Sequence, residues 1–210
     1  MTINCPLCSS ESTAFYQEKT KSYHQCSSCH AVFLVPDSRP NSSDEKARYL
    51  HHQNDVEDIG YQQFSSPITS SVLRDYSPTD NGLDFGAGTG PVIAKLLRDN
   101  QFNISLYDPF FHDHPELLDD TYDYIVCCEV IEHFYTPPKE FALLNRLLKP
   151  GGRLYCMTEL FHDDLDFKSW HYKSDPTHVF FYHQQSLNYI KQQFGFSDVT
   201  VDGRLIIFTA

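Results

Sequence analysis

The chain has 210 residues, 40% of them hydrophobic, which is enough to bury the core of one full domain with a small appendage. The formal net charge of −12 disfavours broad electrostatic binding to nucleic acid, and no segment hides a basic patch: residues 1–40 sum to zero, residues 41–81 to −4 and the remainder to −8. No apolar run is long enough to span a bilayer, and the N-terminus lacks the pattern of a signal peptide, so we expect a cytoplasmic protein.

Four cysteines near the N-terminus have the spacing of a zinc ribbon. Cys5-x-x-Cys8 and Cys26-x-x-Cys29 are separated by 17 residues, so two tight turns can share one tetrahedral ion. A segment of this size cannot easily fold on its own core, and zinc would supply its folding energy. We therefore predict a ribbon over residues 1–38. It either recognises a substrate or clips the N-terminus to the main domain, and its zero net charge favours the clip.

A linker and a helical segment follow, over residues 39–78. The stretch 36–45 is polar and rich in turn residues, and Ser43 is the expected helix cap before two acidic residues. Polar and aromatic side chains dominate residues 48–64, which is typical of a lid or cleft wall. His52 and Tyr61 could face that cleft, although a solvated helix face explains them equally well.

A strand that runs into a glycine loop begins the main domain, over residues 79–210. Leu83 and Phe85 alternate with Asp84, and the loop that follows contains three glycines, with Pro91 opening a helix. Such a loop lets the backbone approach a ligand closely. The spacing G-x-G-x-G differs from the dinucleotide fingerprint G-x-G-x-x-G, which disfavours a nicotinamide oxidoreductase.

The remaining elements alternate between strands and helices. We predict a helix from residue 92 to about 100, strands at 103–108, 124–128 and 153–158, helices at 139–148 and 186–194, and a C-terminal hairpin at 199–209. Residues 109–121 leave little room for a further helix and strand. The fold class is therefore α/β, with a doubly wound sheet that has an antiparallel C-terminal hairpin and one reduced edge.

Four motifs in this order resemble class I S-adenosylmethionine-dependent methyltransferases, whose sheet is Rossmann-like. They are L-D-F-G-A-G-T-G (83–90), Y-D-P (107–109), C-C-E-V-I-E-H-F (127–134) and L-K-P-G-G-R-L (148–154). The whole chain also resembles a bacterial subgroup with an N-terminal cysteine ribbon. The short connection between the second and fourth strands of that fold departs from the larger family and puts the usual adenine-contacting acid in doubt.

The resemblance implies that S-adenosylmethionine is the methyl donor, and it assigns most of the donor site. Asp108 would accept hydrogen bonds from the ribose hydroxyls and Pro109 would border the adenine, although Asp108 could instead be a simple turn former. Asp84 and the backbone near Glu129 would hold the methionine amino group, and Tyr61 would touch the methionine carboxylate. The loop residues that would meet the methionine and ribose are Gly86, Ala87, Gly88 and Gly90.

Two histidines follow strands and are the candidate catalytic bases. Methyl transfer is an in-line displacement, so the protein mainly positions the acceptor and excludes water. An oxygen or nitrogen acceptor can also need a base, for which His133 and His178 are the candidates. His133 has the better position, and the alternative is that it is a polar residue that caps the following loop.

The block W-H-Y-K-S-D-P-T-H (170–178) predicts an acceptor pocket, because it is too rich in polar aromatic residues for a simple connector. Candidate acceptor contacts are His52, Trp170, Tyr172 and Asp175, although the sole tryptophan could pack against the ribbon instead. We expect a small-molecule acceptor. The alternatives are an RNA-modifying enzyme whose ribbon grips the substrate, and an inactive protein that binds the donor as a regulator.

Overall fold

The computed structural model describes residues 3–51 and 55–210, and these form two sheets and five α-helices. His52 lies outside the described residues. The helices are α1 (Ser42–Leu50), α2 (Ile59–Asp75), α3 (Val92–Asp99), α4 (Pro137–Leu147) and α5 (Gln184–Phe194). The strands are β1 (Ser12–Glu18), β2 (Lys21–Cys26), β3 (Val32–Leu34), β4 (Asn81–Phe85), β5 (Asn103–Tyr107), β6 (Tyr122–Cys128), β7 (Leu148–Met157), β8 (Phe180–Phe181), β9 (Asp198–Asp202) and β10 (Leu205–Thr209).

The large sheet has the order β5-β4-β6-β7-β10-β9. Strands β5, β4, β6 and β7 run parallel, and β10 pairs antiparallel with β7 and with β9. Between β5 and β6 the described chain contains only a 3-10 turn, Pro115–Asp119, so that edge lacks the usual additional strand and helix. The predicted α/β class, hairpin and reduced edge are confirmed.

The small sheet has the order β1-β2-β3-β8, and its fourth strand comes from the main domain. Val32 and Phe33 of β3 pair with Phe181 and Phe180 of β8. The sequence did not predict β8, because a two-residue strand has no periodicity to detect. This pairing joins the N-terminal segment to the chain that follows β7.

Local capping residues define the ends of the helices, and one predicted cap is wrong. Asn41, not Ser43, caps α1, because its side chain accepts hydrogen bonds from the backbone N–H groups of Ser43 and Asp44. The linker is therefore shorter than expected. At the other end of the chain, α5 ends as predicted at Gly195, which has the left-handed φ of 83° that glycine adopts without strain.

Candidate functional site

The glycine loop after β4 lies at the carboxyl edge of the parallel strands. The backbone N–H groups of Gly86 and Ala87 donate to the Tyr107 carbonyl at the end of β5, at 2.8 and 3.2 Å. Gly86 has φ +83°, and a Cβ there would lie 2.5 Å from Val130 Cγ2. Gly88 also has positive φ, but a Cβ there would have no heavy atom within 4 Å. One glycine therefore packs against the protein and the next faces open space.

Asp108 connects this loop to the end of β5. Its Oδ2 accepts the Gly88 backbone N–H at 3.0 Å, and its Oδ1 accepts those of Phe110 and Phe111 at 2.8 and 3.1 Å. Asp108 therefore both forms a turn with the residues after it and contacts the glycine loop. Oδ1 thus already accepts two hydrogen bonds, whereas Oδ2 accepts one and has a second lone pair for a ligand hydroxyl group. Pro109, beside it, is exposed.

Asp84 in β4 is buried beneath the loop. Burial raises its pKa to about 7, and the Arg98 charge and the Ala94 backbone N–H oppose that shift. A buried carboxyl at the end of a central strand is a common feature of functional sites, although structural networks also produce it. Its assignment to the methionine amino group remains a prediction.

The chain turns sharply after β6 at Glu129. This residue has φ +54°, uncommon for a residue with a Cβ, and its N–H donates to the Met157 carbonyl at 2.9 Å. Its Oε1 accepts from Arg204 Nη2 at 2.6 Å. Burial raises the pKa of Glu129, to which the nearby Glu132 contributes. The strained turn holds the Glu129 carboxyl against the hairpin and close to Glu132.

Glu132 and two histidines form a cluster after β6. Glu132 is completely buried and accepts a hydrogen bond from the Tyr172 hydroxyl through Oε1. The rings of His133 and His178 meet edge to face, with centroids 4.9 Å apart. Burial lowers the pKa of His133, so that it is neutral near pH 7. The structure thus brings the two predicted bases together, beside a carboxyl that the sequence analysis left without a role.

The 170–178 block packs tightly against the rest of the fold. Trp170 is buried, donates from Nε1 to Glu159 Oε2 at 2.7 Å, and has its ring 5.2 Å from that of Phe181 in β8. Tyr172 is also buried, between Trp170 and His178, at centroid distances of 5.4 and 4.3 Å. Trp170 therefore contacts the small sheet through β8, and Tyr172 contacts the histidine cluster. Their predicted acceptor contacts stay predictions.

Helices α1 and α2 cover this edge of the sheet. Arg48 in α1 donates from Nε and Nη2 to Asp175 Oδ2, at 3.1 and 2.7 Å. Against the effect of burial, the hydrogen bonds from Arg48 and two further ones from Thr177 hold the pKa of Asp175 well below its usual range. Tyr61 in α2 lies near Asp84 and Glu129, and burial raises its pKa. Asp175 thus orders its own loop, and Tyr61 lies where the donor site was predicted.

Arg204 is the site residue that sequence reasoning missed. Its guanidinium lies over the ring of Phe64, 4.8 Å from the centroid, and 5.7 Å from that of Tyr172. The predicted C-terminal hairpin could have indicated the position of Arg204. Because Leu205 pairs antiparallel with Met157 at the end of β7, the turn before Leu205 must return to the carboxyl edge of the sheet.

The four N-terminal cysteines converge as their spacing predicts. All four sulfur atoms lie within 4.8 Å of one another, with Cys5–Cys29 at 3.6 Å and Cys8–Cys26 at 3.3 Å. Two sulfurs on a tetrahedral zinc ion with bonds of about 2.3 Å are roughly 3.8 Å apart, so the donor set fits. Ser9 and His30, which follow the two motifs, both have φ near +60°.

No helix in the described part of the chain combines the length and apolarity needed to cross a membrane.

Comparison with known proteins agrees with this geometry. The model of a family described as a methyltransferase domain matches residues 30–201. An O-methyltransferase family protein from Burkholderia thailandensis superposes with a TM-score of 0.55 and 14% identity, over 82% of this chain and 64% of that one. An O-methyltransferase described as putative, from Nostoc punctiforme, gives 0.50 and 12%, over 71% and 56%. These two likenesses show the fold.

Curated relatives match over a shorter range. The ubiquinone biosynthesis O-methyltransferase of Sodalis glossinidius is 26% identical over 91 residues, which are 43% of this chain and 36% of that protein. The protein of the same name from Vibrio atlanticus is 27% identical over 77 residues, 37% of this chain and 32% of the relative. The chain spans about a third of these relatives. Because the family model covers most of the chain, the protein belongs to the methyltransferase domain family, which confirms the resemblance drawn from its four motifs.

Proposed function

We propose that this protein transfers a methyl group from S-adenosylmethionine to a hydroxyl oxygen of a small-molecule acceptor. The observation that carries the proposal is the contact between Asp108 and Gly88. It places a carboxylate at the end of β5, where a ribose binds in such folds, beside a glycine loop that is open to a ligand. The names of the curated relatives support an oxygen acceptor. The net charge of −12 supports a small acceptor over a polyanion.

The residues of the loop and of the two neighbouring strand ends would hold the donor. Asp108 Oδ2 keeps acceptor capacity for a ribose hydroxyl, and the missing Cβ of Gly88 leaves room for the ligand beside the backbone. Asp84 and the backbone near Glu129 would hold the α-amino group as hydrogen-bond acceptors. S-adenosylmethionine supplies an electrophilic methyl carbon, whose bond to sulfur breaks with both electrons moving to the sulfur.

The acceptor oxygen attacks that carbon in line with the breaking bond and must lose a proton. His133 is suited to receive it: Nδ1 lies 2.8 Å from the Thr177 carbonyl and therefore carries the hydrogen, which leaves Nε2 as the basic nitrogen. A lowered pKa keeps this imidazole neutral near pH 7. The remaining task of the site is to orient the acceptor and exclude water, which the aromatic residues around His178 would perform.

Titration calorimetry with S-adenosylmethionine tests donor binding. We expect wild-type protein to bind and Asp108→Ala to bind roughly 10- to 100-fold more weakly, because hydrogen bonds to a charged group are each worth about 1.5–3 kcal/mol. Asp99→Asn is the matched control, since Asp99 is exposed and pairs with Lys95 on the surface of α3. The proposal fails if wild-type protein does not bind, or if Asp108→Ala binds as tightly as the control.

Labelled methyl transfer from the donor into fractionated cell extract tests the acceptor class. We expect the label in the small-molecule fraction. Label found in the RNA fraction would favour the RNA-modifying alternative, and label in neither would favour the inactive regulator.

We also propose that the ribbon binds one zinc ion and acts as a structural clip. The pairing of β3 with β8 supports this role, as does the hydrogen bond from Ser186 Oγ in α5 to the Cys29 carbonyl at 2.8 Å. Both contacts attach the cysteine turns to the main domain. A closed four-thiolate shell leaves no position for catalysis.

A further inference from the structure

Aromatic contacts hold the ring plane of His133, and a hydrogen bond selects its tautomer. The rings of Tyr49 and His178 meet it edge to face, at centroid distances of 5.4 and 4.9 Å. Such contacts restrict the tilt of an imidazole but do not determine which nitrogen carries the hydrogen. The Thr177 carbonyl, 2.8 Å from Nδ1, does determine it, because a carbonyl oxygen accepts and cannot donate. The lone pair on Nε2 therefore depends on where this carbonyl oxygen lies.

The Thr177 carbonyl belongs to a tight turn over residues 175–178. The His178 backbone N–H donates to the Asp175 carbonyl across this turn, at 3.3 Å. Asp at the first position and Pro at the second are typical of such turns, and Pro176 restricts the backbone between them. The backbone hydrogen bond is long, however, so it constrains the plane of the Thr177–His178 peptide only weakly.

The side chain of Asp175 supplies stronger contacts to this turn. Its Oδ1 accepts the Thr177 backbone N–H at 2.9 Å and the Thr177 hydroxyl at 2.6 Å. Hydrogen bonds to a carboxylate are stronger than those between neutral groups, and the Thr177 side chain that makes one of them is buried. Because the two bonds fix the backbone and the side chain of Thr177 together, they also fix the direction of its carbonyl.

The second oxygen of Asp175 is held from helix α1. Arg48 donates from Nε and Nη2 to Oδ2, so each oxygen of Asp175 already accepts two hydrogen bonds. A carboxylate oxygen has two lone pairs, which leaves Asp175 without capacity for an acceptor molecule. Against the effect of burial, these bonds keep the pKa of Asp175 well below its usual range, so the group stays an ionised acceptor where a histidine base works.

Asp166, earlier in the same connection, forms a comparable turn at the surface. Its Oδ1 accepts the Lys168 backbone N–H at 3.2 Å and its Oδ2 accepts the Ser169 hydroxyl at 2.8 Å. Asp166, Lys168 and Ser169 are all exposed. This turn therefore matches the local chemistry of the turn at Asp175 but lies away from the buried histidine contacts, which makes Asp166 a control.

We propose that Asp175 is a positioning residue for the base of the methyl transfer. Through its two hydrogen bonds to Thr177 it directs the Thr177 carbonyl at His133 Nδ1, and it thereby keeps Nε2 as the basic nitrogen. This role rests on the proposed function, because it orients a base that the function requires. It replaces the acceptor contact that the sequence predicted for Asp175, whose oxygens are fully engaged by Arg48 and Thr177.

Long-range ¹H–¹⁵N NMR spectra of the histidine rings test this role. They are recorded on the full chain with zinc in the ribbon, without donor or acceptor, at a pH where the rings are neutral. A ring nitrogen that carries hydrogen resonates apart from one with a lone pair, and the spectrum of His133→Gln identifies the His133 signals. We expect the Nδ1–H form in the wild-type protein and, in Asp175→Ala, a shift of both His133 nitrogens toward the average of the two tautomers. Wild-type His133 signals in folded Asp175→Ala would overturn the proposal.

Two further variants keep the test independent of how well Asp175→Ala folds. Thr177→Val keeps the carbonyl and nearly the same shape but removes the hydroxyl donor, so it should shift the His133 nitrogens in the same direction by a smaller amount. Asp166→Ala should leave them at their wild-type positions. An unshifted His133 in Thr177→Val, or an equal shift in Asp166→Ala, would overturn the proposal.

Calorimetry with S-adenosylmethionine on the same samples separates this role from the proposed function. Asp175→Ala should bind the donor with wild-type affinity, because the contacts of Asp175 are with Arg48 and Thr177 and not with the glycine loop. Loss of donor binding in that variant would overturn a role confined to His133. Absence of binding to the wild-type protein would instead be a failure of the proposed function, and the NMR result would stand without it.

Discussion

Gly86 is constrained twice, by its conformation and by its neighbours. Its φ of +83° lies in the left-handed region, and a Cβ would meet Val130 Cγ2 at 2.5 Å. Gly88, two residues later, has φ +61° with no atom in the way. The pair therefore separates the cost of backbone strain from the cost of steric overlap within one loop.

We expect Gly88→Ala to lower the free energy of unfolding by about 1 kcal/mol, the cost of a left-handed residue with a Cβ. Gly86→Ala should lower it by about 2–4 kcal/mol, because overpacking against Val130 adds to that strain. Urea denaturation followed by circular dichroism measures both. Equal losses in the two variants would show that Val130 moves aside without cost.

The residues of the site differ in how far the sequence could predict them. Asp108 and the glycines are set by local spacing after predicted strands, and their convergence followed from the parallel topology. The position of Arg204 and the hydrogen bond from Tyr172 to Glu132 depend on contacts between distant segments. His133 and His178 were predicted separately as bases, but their common neighbour and tautomers emerge only from the carbonyls of the 172–177 segment.

Helix α1 is tied to the 170–178 block by one ion pair. Arg48 donates twice to Asp175, and the Tyr49 ring beside it packs on His133. Among the residues of α1 none is fully buried, so packing alone holds this helix weakly. The ion pair and the aromatic contact therefore determine how well α1 covers the site.

We expect Arg48→Gln to increase amide hydrogen exchange across α1 roughly two- to fivefold, because a partly exposed ion pair contributes about 0.5–1 kcal/mol. Exchange in α3 should not change. Lys139→Gln, on the exposed start of α4, is the control for removal of a surface cation. If α1 exchanges at the wild-type rate in Arg48→Gln, the contacts of Tyr49 with His133 and Phe110 hold the helix without the ion pair.

At the scale of elements, long periodic segments were predicted well and short ones were not. Helices α3 to α5 and the hairpin have amphipathic patterns with clear ends, such as Gly195. The cap of α1 was wrong because Asn41 and Ser43 are both good capping residues, and only the backbone geometry distinguishes them. Strand β8 is defined by a partner about 150 residues earlier, which local sequence cannot indicate.

At the scale of the whole molecule, the two sheets share one hydrophobic core. A single cluster of buried residues includes Cys5, Cys26 and Phe33 from the N-terminal segment and Phe141, Phe180 and Phe208 from the main domain. The predicted boundary at residue 38 therefore separates segments that pack together. A zinc ion in the ribbon would support part of the site through β8, which begins two residues after His178.

This coupling predicts a distant effect of a ribbon ligand. Cys8→Ser removes one of the four thiolates and leaves the residues of the candidate site unchanged. We expect the variant to lose one zinc per chain by elemental analysis and to show faster amide exchange at residues 179–182, because β8 loses an ordered β3 partner. The β9–β10 hairpin, at the far edge of the large sheet, should keep its wild-type exchange and serves as the internal control. Unchanged protection at 179–182 in a zinc-free variant would mean that the small sheet holds its structure without the ion, and the ribbon would then have to be explained by binding rather than by support.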